Sequence, residues 1–220
     1  RAFRIGDIVN LMELKVQEFL NEVDSNSPAP GGGSVSALAS ALGSSLGRMV
    51  AHLTFGKKTY TALSEEEKQN FEKSFEELEK CRKKLEELVD KDTEAYNLVM
   101  SAYKLPKDSE EEKAKRKKAI QESLKKAVET PLAICRYSYE AIKHMDIILK
   151  NGNKNAVTDI AVGTILLFSG IEGGILNVKI NLLSIDDEEF KNSISSEFSK
   201  YYLEGKKIKE SILERVNQDF

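Results

Sequence analysis

An all-α fold, a single multihelical bundle of about six mostly antiparallel helices, is what this chain of 220 residues predicts. Three observations carry that prediction. Apolar residues recur at spacings of three and four almost from end to end, as on one face of a helix. Prolines are confined to Pro28, Pro30, Pro106 and Pro131, and proline is the residue that interrupts helices. No run alternating Val, Ile, Thr or Tyr with polar residues lies between turn signals, so strands are not expected.

The first helix is expected over about 7–23, ahead of the segment SPAPGGG at 27–33. The second, 34–57, follows that glycine turn directly, with Ser34 as its N-cap. The third, 64–103, opens on Ser64 with Glu67 three residues on, a capping-box pattern. Ser109 and Glu112 repeat the signal for the fourth, 109–149, which Pro106 separates from the third. Pro131 falls inside the fourth, so a kink there, or a new start capped by Thr130, is expected. The fifth, 154–183, is apolar nearly all round and therefore central and buried. The sixth, 186–216, begins on Asp186 with Glu189. Short connections make neighbours antiparallel. No repeat or low-complexity linker divides residues 1–220, which read as one domain.

Composition narrows the function. Apolar residues are 40% and charged residues 31%, with net charge −3. That balance does not suit nucleic acid or an anionic membrane surface. The basic run KAKRKK at 113–118 follows SEEE at 109–112 and reads as a solvated helix face with opposite charges in register. Asp159, Glu172 and Lys179 inside the apolar fifth helix argue against a membrane span. Cys81 and Cys135 stand alone, without the spacing of a disulfide framework or a zinc site. His52 and His144 are isolated and read as ordinary helix residues. With no long apolar core near the N-terminus, no secretory signal is expected, and the sparse cysteines fit the cytoplasm.

Three features break the pattern. Asp92 sits in the core stripe of the third helix, between Val89 and Tyr96. It is either a structural carboxylate, paired with an Arg or Lys or capping a neighbouring helix, or a carboxyl in a cleft, set up for proton transfer. One line along the fifth helix, at about 100° per residue, collects Asp159, Gly163, Leu166, Gly170, Gly174, Asn177 and Asn181. Glycine inside a helix costs about 1 kcal/mol relative to alanine, so close packing, a groove floor or both must offset it. The second helix carries its own small face, Ser36, Ser40, Gly43, Ser44 and Gly47, fit to lie against the fifth helix or against its copy in a second subunit. Gly31-Gly32-Gly33 lacks the Lys-Ser/Thr of a P-loop and follows no strand. It reads as a turn whose amides open at a helix N-terminus, suited to an anion or a polarised oxygen.

Six stretches in order, SPAPGGGSVSALASALGSSLGRMV, TFGKKTY, LVDKDTEAY, KLPK, NGNKNAVTD and GGILNVKINL, give the chain its resemblance. It is similar to the cyclodeaminase domain of formimidoyltransferase-cyclodeaminase and to the related free-standing methenyltetrahydrofolate cyclohydrolases. The similarity spans about residues 8–215. Thr158 stands where that family often has serine, and 220 residues are expected to leave no room for the family's transferase domain. The resemblance implies an all-helical homodimer that takes a tetrahydrofolate derivative, possibly polyglutamylated, with no metal and no cofactor beyond that substrate. Carried onto this sequence, its motif residues are Gly31, Gly32, Gly33, Ser34, Lys57, Lys58 and Asn153, with Asn177 and Asn181, for substrate binding, and Asp92 and Asp159 for catalysis.

Two reactions fit the resemblance. Cyclodeamination closes 5-formimidoyl-tetrahydrofolate to the 5,10-methenyl form and releases ammonia; cyclohydrolysis opens the methenyl ring to 10-formyl-tetrahydrofolate. Each needs a base and then an acid at one carbon, which two carboxylates with separated pKa values supply. One aspartate would transfer the proton and the other would hold the pterin. Asn177 and Asn181 would fix the pterin edge, and Lys57 or Lys58 would meet the glutamate tail. A helical dimerisation scaffold without activity is the alternative of another class. In the homodimer the small-residue faces are expected to pack closely.

Overall fold

The computed structural model describes residues 10–218, so the expected start of the first helix at residue 7 lies outside the described residues. The described part of that helix is broken. A 3-10 turn at Leu11–Glu13, capped by the Asn10 side chain, precedes α1, Val16–Val23, because Leu14 and Lys15 are extended. α2 spans Gly32–His52. It stops short of residue 57 because Gly56 adopts φ 74°, a left-handed conformation open mainly to glycine, and the short α3, Lys58–Thr61, follows.

α4, Glu65–Tyr103, and α5, Glu110–Asn151, open on the capping boxes of Ser64 with Glu67 and Ser109 with Glu112. A 3-10 turn at Lys154–Ala156 leads into α6, Val157–Leu182. α7, Glu188–Gln218, starts two residues later than expected, with Asp187 rather than Asp186 receiving the Phe190 N–H at 2.9 Å.

Among the described residues the chain is a helical bundle with α6 at its centre, packed on α2, α5 and α7. α2 lies between α6 and α4, and α4 packs along α5. The main core gathers large buried side chains such as Phe71, Leu78, Ile142, Met145, Ile160 and Leu167. A second cluster, Leu11, Phe19, Ala37, Ala41, Leu85, Leu88, Val89 and Ile134, fastens the N-terminal arm onto α2 and α4.

The small-residue faces meet inside the chain. Ser36 abuts Gly173, Ser40 abuts Gly170, and a methyl on Gly43 would come within 2.6 Å of the Gly163 carbonyl oxygen. The rising and falling numbers show that α2 and α6 run antiparallel. The expectation that these faces pack between two subunits is therefore corrected: each is consumed by the other, and neither is left for a partner.

α5 runs through Pro131 without a new start. Proline removes the N–H that would bond the carbonyl four residues back, which is that of Ala127. The amide of Asn181 on α6 points at this oxygen, Nδ2 to O 3.4 Å. Two orphans made by one proline and one buried seam thus satisfy each other.

Candidate functional site

The glycine turn enters α2 with Gly31 extended at the N-cap, so Ser34 lies inside the helix rather than capping it. Ser34 is fully buried. Its hydroxyl donates to the Val89 carbonyl on α4 at 2.7 Å. Its N–H donates to Asp92 Oδ2 at 3.1 Å. The mouth of α2 is thereby occupied by the chain's own carboxylate, where a helix N-terminus favours negative charge. The turn is not an open anion site, and Ser34 has no free polar group for a ligand.

Asp92 packs so closely on the turn that a methyl on Gly33 would overlap its carboxylate. Burial pushes the Asp92 carboxyl above its ordinary value, and the Ser34 N–H offsets part of that rise. No cation pairs with it among the described residues. On the other side of the turn, the Asn177 amide on α6 lies against Gly32, its Nδ2 3.3 Å from where a methyl would sit. That amide also donates to the Gly173 carbonyl at 2.8 Å. Gly31, Gly32, Gly33, Asp92 and Asn177 thus converge at one end of the α2–α6 pair. Asn181 lies one turn beyond, already engaged with Ala127.

The remaining expected residues lie at the opposite end. Lys57 and Lys58 are exposed at the start of α3. Asn153 donates its N–H to Thr54 Oγ1 at 2.9 Å and caps the turn before α6 with its side chain. Asp159, half-buried in the first turn of α6, meets no hydrogen-bonding or ion-pairing partner among the described residues. From Asp159 to Asn177 along α6 is about 27 Å at 1.5 Å per residue. The structure brings Asp92 and Asn177 together at the glycine turn and leaves Asp159 apart from them.

Two groups escaped the sequence reading. Thr93, beside Asp92, has a buried hydroxyl with no partner among the described residues. Asp90 accepts the Leu11 N–H at 2.6 Å and so ties the N-terminal arm to α4. Periodicity flags a polar residue on the apolar stripe, as it did Asp92, and passes over those one or two positions away from it. A separate groove of about 580 Å³ runs between α6 and α7 past Glu172, Lys179, Phe198 and Tyr202. None of the expected site residues lines it.

A family profile described as formiminotransferase-cyclodeaminase matches residues 15–200. The chain is 38% identical to a methenyltetrahydrofolate cyclohydrolase of Methylorubrum extorquens, over 91% of this chain and 95% of that one. It is 32% identical to the formimidoyltransferase-cyclodeaminase of Sus scrofa, covering 96% of this chain but only 38% of the pig protein. A crystal structure of formiminotetrahydrofolate cyclodeaminase from Thermotoga maritima superposes with a TM-score of 0.82 at 30% identity, covering 94% of this chain and 97% of that one.

Proposed function

The chain belongs to the formiminotransferase-cyclodeaminase family, and from that premise we propose that it closes 5-formimidoyl-tetrahydrofolate to 5,10-methenyl-tetrahydrofolate with release of ammonia. Hydrolysis of the methenyl ring to 10-formyl-tetrahydrofolate is the second reading. It is favoured by the similarity, over nearly the full length of both chains, to a protein named for that reaction.

The observation that carries the proposal is Asp92: a buried carboxyl, raised above its ordinary value, held by one oxygen at the glycine turn. Ring closure needs the N10 proton removed as N10 attacks the formimidoyl carbon, and a proton delivered to the departing nitrogen. A carboxyl raised toward the working pH can do both in turn. The Ser34 N–H fixes its orientation and leaves the other oxygen for the substrate. As the methenyl carbon gains positive charge, the same carboxylate lowers that charge's energy. Hydrolysis uses the same parts, with water in place of N10.

The bare backbone of Gly31 and Gly32 supports close approach of the pterin, and the Asn177 amide supports a contact at its edge. Asp159 is the second carboxylate of this reading, and Lys57 or Lys58 meets the tail carboxylates. The enzyme works as a homodimer, through a face other than the α2–α6 seam.

Parallel kinetics test the proposal, with ammonia release from the formimidoyl substrate in one arm and loss of the methenyl chromophore in the other. At least one rate should be enzyme-dependent and fall by about 10²-fold or more in Asp92→Asn, the low end for general acid–base groups. Folded wild-type chain that turns over neither folate would favour the inactive scaffold and overturn the reading.

A further inference from the structure

Asp92 marks a change along α4. Before it, the apolar stripe is sealed: Leu85 and Val89 are fully buried in the cluster shared with α2. After it, the same stripe comes to the surface, with Tyr96, Met100 and Tyr103 at 36, 37 and 40% exposure. All three lie within about 40° of the Val89 line, taking about 100° per residue. The change has a cause in the packing. α2 and α4 run antiparallel, since Gly33 meets Asp92 while Gly47 meets Leu78. α2 begins at Gly32, level with Asp92. Residues 93–103 of α4 therefore run on past the mouth of α2, by about 16 Å at 1.5 Å per residue.

The end of this overhang is fixed. Arg116 on α5 donates through Nη2 to the Tyr103 carbonyl at 3.0 Å and lies over the Tyr103 ring. Tyr96, nearest the site, belongs to neither core cluster. It presents an aromatic face that the fold does not use.

In the reaction proposed above, Asp92 takes its proton from N10 of the folate. N10 is an aniline nitrogen, bonded directly to the p-aminobenzoyl ring. A carboxylate within hydrogen-bond reach of N10 has that ring as its immediate neighbour. Two of the surfaces around Asp92 are closed to it: Gly33 is already in contact with the carboxylate, and Val89, one turn back, is sealed. Tyr96 lies one turn forward, about 6 Å along the helix and about 40° around it. That is the direction in which the stripe is open.

We infer that Tyr96 seats the p-aminobenzoyl ring of the folate on the overhang of α4, while the pterin reaches the glycine turn and Asn177. The inference rests on the functional reading above and adds to it a subsite for the middle of the substrate. The ring is the uncharged, apolar part of the arm, and the overhang offers an uncharged, apolar floor, with Met100 extending it one turn beyond Tyr96. Two aromatic rings in offset or edge-on contact gain more than their buried area alone provides. The ring does not change during either reaction, so this contact serves ground and transition states alike and acts on KM rather than on kcat.

Fragments of the substrate test this on the whole chain. p-Aminobenzoyl-glutamate carries the ring without the pterin, and 6-methyltetrahydropterin carries the pterin without the ring. Tyr96→Ala should raise KM for the folate about tenfold, with kcat within about twofold of wild type. The inhibition constant of p-aminobenzoyl-glutamate should rise by the same factor, and that of 6-methyltetrahydropterin should not move. Tyr96→Phe keeps the ring and should match wild type. Tyr96→Leu keeps an apolar cover without a ring and should match Tyr96→Ala, so the test stands even if the alanine variant folds poorly. Wild-type constants in Tyr96→Leu overturn the subsite. A native mass lowered by Tyr96→Ala or Tyr96→Leu overturns it too, by giving the overhang to a second copy of the chain.

Saturation-transfer NMR on the ring protons of p-aminobenzoyl-glutamate needs no turnover. Transfer from the wild-type chain should be lost in Tyr96→Leu and kept in Tyr96→Phe. A wild-type chain inactive on both folates that still shows this pattern removes the functional reading and leaves the subsite standing. An active wild-type chain whose transfer is absent, or is unchanged in Tyr96→Leu, removes the subsite and leaves the functional reading standing.

Discussion

Asp92 holds its proton more tightly folded than unfolded, because burial disfavours the charge. The folded state therefore binds more protons in the window between the unfolded and the raised folded value. Stability is full below the ordinary carboxylate range and falls as pH rises through that window. Asp92→Asn removes the ionisation while keeping an oxygen for the Ser34 N–H. Thermal melts should show the variant matching wild type in acid and melting higher at neutral pH, even as its turnover collapses. A lower melting temperature at neutral pH would mean that the Ser34 bond outweighs the burial. Asp92 was legible in the sequence because it interrupts an apolar stripe. The role of Ser34 was not: an N-cap and a second helical turn differ only by where the backbone bends, and Gly31 took the cap.

At the scale of helices, the small residues of α2 and α6 exchange helix propensity for proximity. Gly43→Ala would gain up to about 1 kcal/mol from propensity alone, yet its methyl would meet the Gly163 carbonyl at 2.6 Å and Leu167 at 2.9 Å. We expect overpacking to win, with a net loss of about 1–3 kcal/mol in denaturant unfolding and no change in oligomeric mass. A variant as stable as wild type would show that the seam has slack. The Pro131–Asn181 pair makes a sharper test. Asn181→Ala should cost about 1 kcal/mol by stranding the Ala127 carbonyl, with KM for the folate unchanged. In a Pro131→Ala background, where the helix supplies its own N–H, that cost should vanish. A raised KM in Asn181→Ala would instead restore the substrate contact that the family resemblance implied. The small-residue stripes announced close packing in the sequence, but their partner was open until the antiparallel pairing appeared. The service that Asn181 renders could not be read at all, because it depends on which helix lies beside Pro131.

Across the whole molecule, attachment is uneven. α6 is gripped on three sides, whereas α1 is held by Phe19 alone among its residues, and the turn before it by Leu11 and the Asp90 bond. Hydrogen exchange should find the amides of 16–23 opening far below the global unfolding free energy, and those of 160–175 only with it. Equal protection would mean that the N-terminal arm folds with the core. The bundle itself was legible from periodicity and capping boxes. That its marked residues part into two distant groups was not, since the order of motifs along a chain says nothing of which end of a bundle each reaches. The mended turn at Pro131 has a consequence for biosynthesis. The carbonyl and the amide that closes on it lie 54 residues apart, and chains are made from the N-terminus onward. While the ribosome is still adding the sixth helix, the middle of the fifth can satisfy that carbonyl only with water. A nascent chain arrested before Asn181 should therefore be most readily nicked by protease near residues 127–131, and release past that point should seal it.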